Sequence, residues 1–156
     1  MLWNKQPKRG EADEKWQHVQ YDIEYHIAWT TKYRYRVLEN KIAERTRTLI
    51  RQGCNSMDVT IIKGSIGKEH VHLLVSAPPS LSVSKLVQQL KGKTSRTLQM
   101  KFKSLKKRYW GQHLWSSGYF CRSAGTVTKD IIKEYIENQQ DEYDENFKII
   151  GYSLLS

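Results

Sequence analysis

Between Tyr21 and Thr31 large apolar residues alternate with smaller or polar ones, Tyr21, Ile23, Tyr25, Ile27 and Trp29 against Asp22, Glu24, His26, Ala28 and Thr30. A period of two sends the two sets to opposite faces, which predicts a first strand with one buried face. From Asn40 to Gln52 the spacing becomes helical, with Ile42, Leu49 and Ile50 as the apolar row and Gly53 as the expected stop. Ser56 to Ile66, rich in Val and Ile, predicts a second strand, and Gly67-Lys68 turns it into a third from Glu69 to Ala77. In that third strand His70, His72 and Leu74 share one face and Val71, Leu73 and Val75 the other, before Pro78-Pro79 ends it. Ser82 caps a second helix whose buried row is Val83, Leu86, Val87, Leu90, Thr94 and Leu98, leaving Lys91, Lys93 and Arg96 largely outward. An aromatic loop with Tyr109, Trp110 and Trp115 leads to a strand over about 118–123, and Thr128 caps a last helix running to about Gln140.

The order β α β β α β plus a final helix predicts an α+β, ferredoxin-like or RRM-like fold, an antiparallel sheet with helices on one face. Residues 1–20 mix Lys, Glu, Gln and Gly around Trp3 and Trp16 and read as a flexible arm, and 21–140 as the folded domain. Residues 141–156 form a tail with a short candidate strand at Phe147 to Tyr152.

At 156 residues the chain is one domain that can bury roughly two thirds of its unfolded surface. Cys54 and Cys121 are isolated thiols without CxxC spacing, which excludes a zinc ribbon or finger. With no leader and no long apolar run, the expectation is a cytoplasmic protein that does not enter membranes. A net charge of +10 favours a polyanionic partner. Its distribution sharpens this: no Asp or Glu occurs from His70 to Lys129, while Lys91, Lys93, Arg96, Lys101, Lys103, Lys106, Lys107 and Arg108 crowd one segment. Such a block repels itself until something negative neutralises it, and a phosphate backbone does so with counterion release. Upstream, Lys32, Arg34 and Arg36 interleave with Tyr33 and Tyr35, a pattern suited to phosphates between stacked bases.

Two imidazoles projected side by side from a rigid strand, His70 and His72, can share a divalent cation if a third ligand arrives from elsewhere. On the last helix Tyr135 and Gln139 lie four apart and so face the same way, one offering a phenol and the other an amide oxygen. Taken alone, Tyr135 beside Ile131, Ile132 and Ile136 reads as a core aromatic, and a His-x-His pair most often packs or hydrogen-bonds. The combination reads as a metal site facing a nucleophile. Glu134, Glu137 and Glu142 flank that face as solvated groups, any of which could replace Gln139 if the helix rotates. His26, on the polar face of the first strand, is either a structural hydrogen-bonded histidine or a neighbour of the metal. His18 and His113 fall in the arm and a loop.

YHIAWTTKYR in the first strand, HVHLLVSAPPSLSVSKLVQQLKGKTSR through the third strand and second helix, and YIENQ on the last helix carry a resemblance. The chain resembles the TnpA-type single-tyrosine HUH transposases of small bacterial and archaeal insertion sequences that move as single-stranded DNA. The likeness runs from Tyr21 to about Gln140. It implies His70, His72 and Gln139 as ligands of Mg²⁺ or Mn²⁺, Tyr135 as the nucleophile, and a 5′-phosphotyrosine intermediate. It also implies recognition of DNA hairpins, a homodimer in which one subunit's tyrosine helix can complete the other's site, and no nucleotide cofactor. Arg34, Arg36, Lys91, Lys93 and Arg96 are the expected phosphate contacts. No residue stands out as general base for the phenol. Two other functions fit the same residues: a domesticated HUH nuclease acting on genomic hairpin repeats, and a non-catalytic RRM-like module that binds single strands while His70, His72 and Tyr135 only pack.

Overall fold

The computed structural model describes residues 23–125, Glu134 and residues 146–150. The predicted arm, the helix carrying Tyr135 and Gln139 with its Thr128 cap, and most of the tail lie outside the described residues. The elements in chain order are β1 (Glu24–Thr30), a 3-10 turn (Lys32–Arg34), α1 (Asn40–Ser56), β2 (Thr60–Ile66), β3 (His70–Ser76), α2 (Val83–Lys101), α3 (Lys103–Arg108), β4 (Phe120–Ser123) and β5 (Phe147–Ile149).

The strands form one sheet in the order β4-β1-β3-β2-β5. β1 lies between β3 and β4 and pairs antiparallel with both, and β2 pairs antiparallel with β3, which is the ferredoxin-like core the element order predicts. β5 adds a parallel edge against β2 through Gly64, Ser65 and Ile66. That strand gives the tail a role that its sequence leaves unread. Phe147 is fully buried there, seated where a Cβ on Gly64 would strike its ring at 2.5 Å, so β2 has no side chain at the point where the tail docks.

Alternation on β3 separates core from chemistry. Val71, Leu73 and Val75 point into the apolar layer beneath α1 and α2, together with Ile27 and Trp29 of β1 and Leu86, Val87, Leu90 and Leu98 of α2. The opposite face holds the histidines and a small second cluster in which Ile62 and Ala124 cover Leu74. A register shift between Ile61 and Lys63 inserts Ile62 into that cluster.

Gly53 is not the stop of α1. The helix runs on to Ser56, and a Cβ at Gly53 would come within 2.6 Å of the Leu90 side chain, so the residue marks where α1 and α2 approach. A mid-helix glycine costs about 1 kcal/mol in propensity, and close apolar packing across this contact offsets it. α2 starts where predicted, with Ser82 Oγ accepting from the Lys85 amide at 3.2 Å. The short helix α3 is additional to the expected elements. No helix among the described residues is long and apolar enough to cross a membrane.

Candidate metal centre and nucleic-acid interface

His70 and His72 stand on one face of β3 with ring centroids 4.9 Å apart and planes nearly perpendicular. Each has its Nδ1 engaged. His70 Nδ1 lies 3.1 Å from Glu69 Oε1, and His72 Nδ1 lies 3.1 Å from His26 Nε2. The second contact follows from the register: Ala28 of β1 sits directly opposite His72, and its small side chain lets the His26 ring lie over His72 at 5.4 Å. Phe120 of β4 closes on His26 from the other side, edge to face at 5.5 Å. His26 is thus both of the things its position in the sequence allows, a hydrogen-bonded histidine and the immediate support of a candidate ligand.

Charge prepares these rings for coordination. Burial, and after it the neighbouring His70 and His26 rings, push His72 down to about 4, so it is neutral at physiological pH and keeps a lone pair. His26 is lowered as well, by burial and then by the Arg122 guanidinium. For His72 Nε2 to bind a cation, its Nδ1–H must donate to an unprotonated His26 Nε2, and Arg122 disfavours the doubly protonated His26 that could only donate. On the His70 side Glu69 is the acceptor that fixes the same tautomer, an outer carboxylate of the kind that raises a ligand's basicity. Arg36 Nε stands 3.9 Å from Glu69 on the exposed side, a contact of little energetic weight.

The imidazoles line a cleft of about 480 Å³ together with Thr30, Arg34, Ser117 and Phe120. Two imidazole nitrogens on one strand face fit a divalent cation as part of a ligand set. Among the described residues no group of three His, Cys, Asp or Glu gathers to complete that set. Gln139, the expected third ligand, and Tyr135, the expected nucleophile, lie outside the described residues.

A second, larger cleft of about 710 Å³ adjoins the first, and both are lined by Ser116 and Ser117. The shared wall is tied to its surroundings by many polar contacts. Thr30 Oγ1 and Ser116 Oγ are 2.8 Å apart, the Trp115 indole donates to Thr94 Oγ1 at 2.8 Å, and Gln99 Nε2 donates to Gln112 O at 2.6 Å. Lys91 Nζ donates to Ser116 O at 2.9 Å and to Gly118 O. Here the expectation of a largely outward lysine is corrected: Lys91 is half-buried and its ammonium holds the wall through two loop carbonyls, since buried backbone acceptors need a donor. Lys93 and Arg96 do point to solvent, and Arg96 lines the larger cleft. Arg34 and Arg36 are exposed. Of the two interleaved tyrosines, Tyr33 is exposed, while Tyr35 is covered by the Arg108 guanidinium 4.0 Å from its ring centre. Glu69 and Arg122 join these sites without any local sequence signal, since only strand pairing brings them beside the imidazoles, whereas Lys32 and Lys106 belong to the basic stretches the sequence already marks.

Comparison with known proteins agrees with this arrangement. Residues 19–139 match the family model described as transposase, IS200 like. The ISDra2 transposase TnpA of Deinococcus radiodurans is 33% identical over 121 residues, 78% of this chain and 86% of that protein. The transposase for insertion sequence element IS200 of Salmonella typhimurium is 32% identical over 125 residues, 80% of this chain and 82% of its own. Among solved structures, a candidate transposase from Deinococcus radiodurans superposes with a TM-score of 0.64 at 31% identity, over 80% of this chain and 95% of that one. The REP-associated tyrosine transposase, solved bound to a REP hairpin, shares the fold at a TM-score of 0.54 and 13% identity, over 77% of this chain and 69% of its own. With an imidazole pair on the sheet face opposite α1 and α2, a strongly basic surface beside it and a family match spanning most of its length, this chain belongs to the IS200-like transposase family of DNA-cleaving and strand-transferring proteins.

Proposed function

We propose that the protein cleaves and rejoins single-stranded DNA at the ends of an insertion sequence, using Tyr135 as nucleophile and His70, His72 and Gln139 as ligands of Mg²⁺ or Mn²⁺. The observation that carries this is the pair of imidazoles projecting side by side from one strand face, each with its Nδ1 engaged, His72 being held neutral by burial. When bound, the cation supplies Lewis-acid polarisation of the scissile phosphate and offsets charge on its oxygens. The Tyr135 phenol oxygen, once deprotonated, attacks phosphorus in line. A phosphorus–tyrosine bond forms as the phosphorus–O3′ bond breaks, and the departing O3′ takes up a proton as a free hydroxyl. The phosphotyrosine retains the free energy of the phosphodiester, so a second 3′ hydroxyl can attack it, restore the phenol and join new ends without a nucleotide cofactor. This is strand transfer without net hydrolysis.

Hairpins at the element ends are the proposed recognition feature, and a homodimer the proposed working form. Arg34 beside the imidazoles and Lys93 and Arg96 on α2 supply positive charge for the strand that the cation site must hold.

The test is a covalent-adduct assay. Labelled single strands from both flanks of the gene are mixed with the protein in Mg²⁺ or Mn²⁺ and resolved on a denaturing gel, with Tyr135→Phe and EDTA as controls. A shifted protein-DNA band that needs both the metal and the Tyr135 hydroxyl supports the mechanism. Binding of those strands with no adduct under any cation turns the assignment to the RRM-like binding module.

A further inference from the structure

The chain just after α3 contains a residue that the fold does not explain. α3 ends with the Trp110 amide donating to Lys107 O at 3.4 Å and the Gly111 amide to Lys106 O at 2.8 Å, the paired bonds of a Schellman motif. The residue that must turn left-handed there is ordinarily glycine, and in this chain it is Trp110, at φ 56°. A bulky side chain at positive φ is strained. Burial does not compensate, because Trp110 is 89% exposed. A strained, solvent-facing indole costs the fold stability and contributes no packing, which points to a contact outside the molecule.

What lies beside it identifies that contact. Gly111 and Lys106, on either side of Trp110 in the turn, both line the larger cleft, whose walls also carry Lys32 and Arg96 and, among the described residues, no carboxylate. Exposed Met100 supplies an apolar patch on the same lining. Cations for phosphates next to an aromatic face for bases is the composition of a single-strand binding groove. The groove runs into the cleft of the imidazoles across Ser116 and Ser117. A duplex is too wide and stiff to present its bases to such an indole, whereas an unpaired strand can.

We infer that this basic cleft is a second DNA subsite, taking unpaired nucleotides on one side of the cleaved phosphodiester, with Lys32, Arg96 and Lys106 at the phosphates and Trp110 stacked on a base. The assignment rests on the proposed single-strand transposase activity. It adds a site that works without the cation and sets how much flanking strand the protein holds.

The full chain is tested with fluorescein-labelled oligothymidylates of about 5 and about 20 nucleotides, in EDTA, by anisotropy across a salt series. Trp110→Gly is expected to weaken binding of the longer strand about 5-fold or more while raising the unfolding midpoint by about 2–4 °C, since glycine relieves the left-handed strain. Arg96→Ala with Lys106→Ala is expected to lower the salt slope by about 1.4, at roughly 0.7 per lost phosphate contact on a single strand. Unchanged affinity for the longer strand in both variants overturns the subsite. So does a Trp110→Gly protein that loses stability, because the indole is then structural. The wild type separates this from failure of the underlying function: a wild type that forms the Tyr135 adduct but is indifferent to these changes refutes the subsite alone, whereas a wild type that binds neither oligothymidylate nor its flanking strands refutes both.

Discussion

The two clefts that meet at Ser116 and Ser117 are a few residues apart and chemically opposite. The smaller is built on strands, with rings held by neighbouring rings and a carboxylate, and its histidine His72 is kept neutral by burial. The larger is built on a helix face and a loop, with several full positive charges and, among the described residues, no carboxylate in its lining. Coordination requires a lone pair at a fixed point, so the first cleft gains from rigidity and desolvation. Phosphate binding requires charge that can follow a flexible chain, so the second gains from long, mobile Lys and Arg side chains. The stiff sheet suits the proposed coordination, and the adaptable helix surface suits the proposed phosphate binding.

The largest effect is expected at the proposed ligands. Replacing His70 and His72 with Ala should remove divalent-cation binding and reduce the DNA adduct by about 1,000-fold or more, a loss of several kcal/mol of charge stabilisation. Strand binding in EDTA should stay within about 2-fold of wild type, because the cations of the larger cleft are untouched. Titration calorimetry with Mn²⁺ beside anisotropy with a labelled strand reads both quantities. A parallel fall in the two would mean that the clefts are one site.

A smaller effect sharpens the account of the first cleft. His26→Ala should weaken Mn²⁺ binding about 10- to 100-fold by leaving His72 Nδ1 without its partner, and a Gln there, which retains an acceptor, should restore part of it. Equal affinity in all three proteins would show that the His26 contact orients nothing.

Lys91 and Lys93 offer the next contrast. Lys91→Ala removes the donor to Ser116 and Gly118 and should cost about 1–2 kcal/mol in urea unfolding, while Lys93→Ala should stay within about 0.5 kcal/mol. Lys93→Ala should instead lower the salt slope of strand binding by about 0.7, and the same drop for Lys91→Ala with unaltered stability would return Lys91 to the phosphate surface.

The smallest effect concerns pH. His72 is lowered in the fold from its usual 6.5 to about 4, so the unfolded chain binds more protons between those values. Stability of the metal-free protein should therefore be full above pH 6.5 and decline as pH falls toward 4. A flat profile of unfolding midpoint over that window in the wild type, matching the profile of a His72→Gln variant, would remove His72 as its source.

Much of this was legible in the order of residues. Periods of 2 and 3.6 mark β1, β3, α1 and α2, because each buries one face more than the other, while β2 shows through its Val and Ile content. Ser82 and Pro78-Pro79 place their boundaries through local chemistry alone. The positions that misled are those where packing overrides local preference. Gly53 has the propensity of a helix stop, yet it sits inside α1 where Leu90 needs the room of a missing Cβ. Lys91 has the spacing of an outward residue, yet a loop more than 20 residues later supplies two carbonyls for it.

Spacing and charge along the chain suffice for the ferredoxin-like order of elements, the shared face of His70 and His72, and the acid-free basic stretch. Folding alone brings His26 and Glu69 against those rings, turns Lys91 to brace a wall while Arg96 faces a groove, and sets Phe147 into a fifth strand. Each of these joins residues whose meeting depends on strand register, helix crossing or loop closure. Such contacts are set by the lowest free energy of the whole packed chain, and no local pattern encodes them.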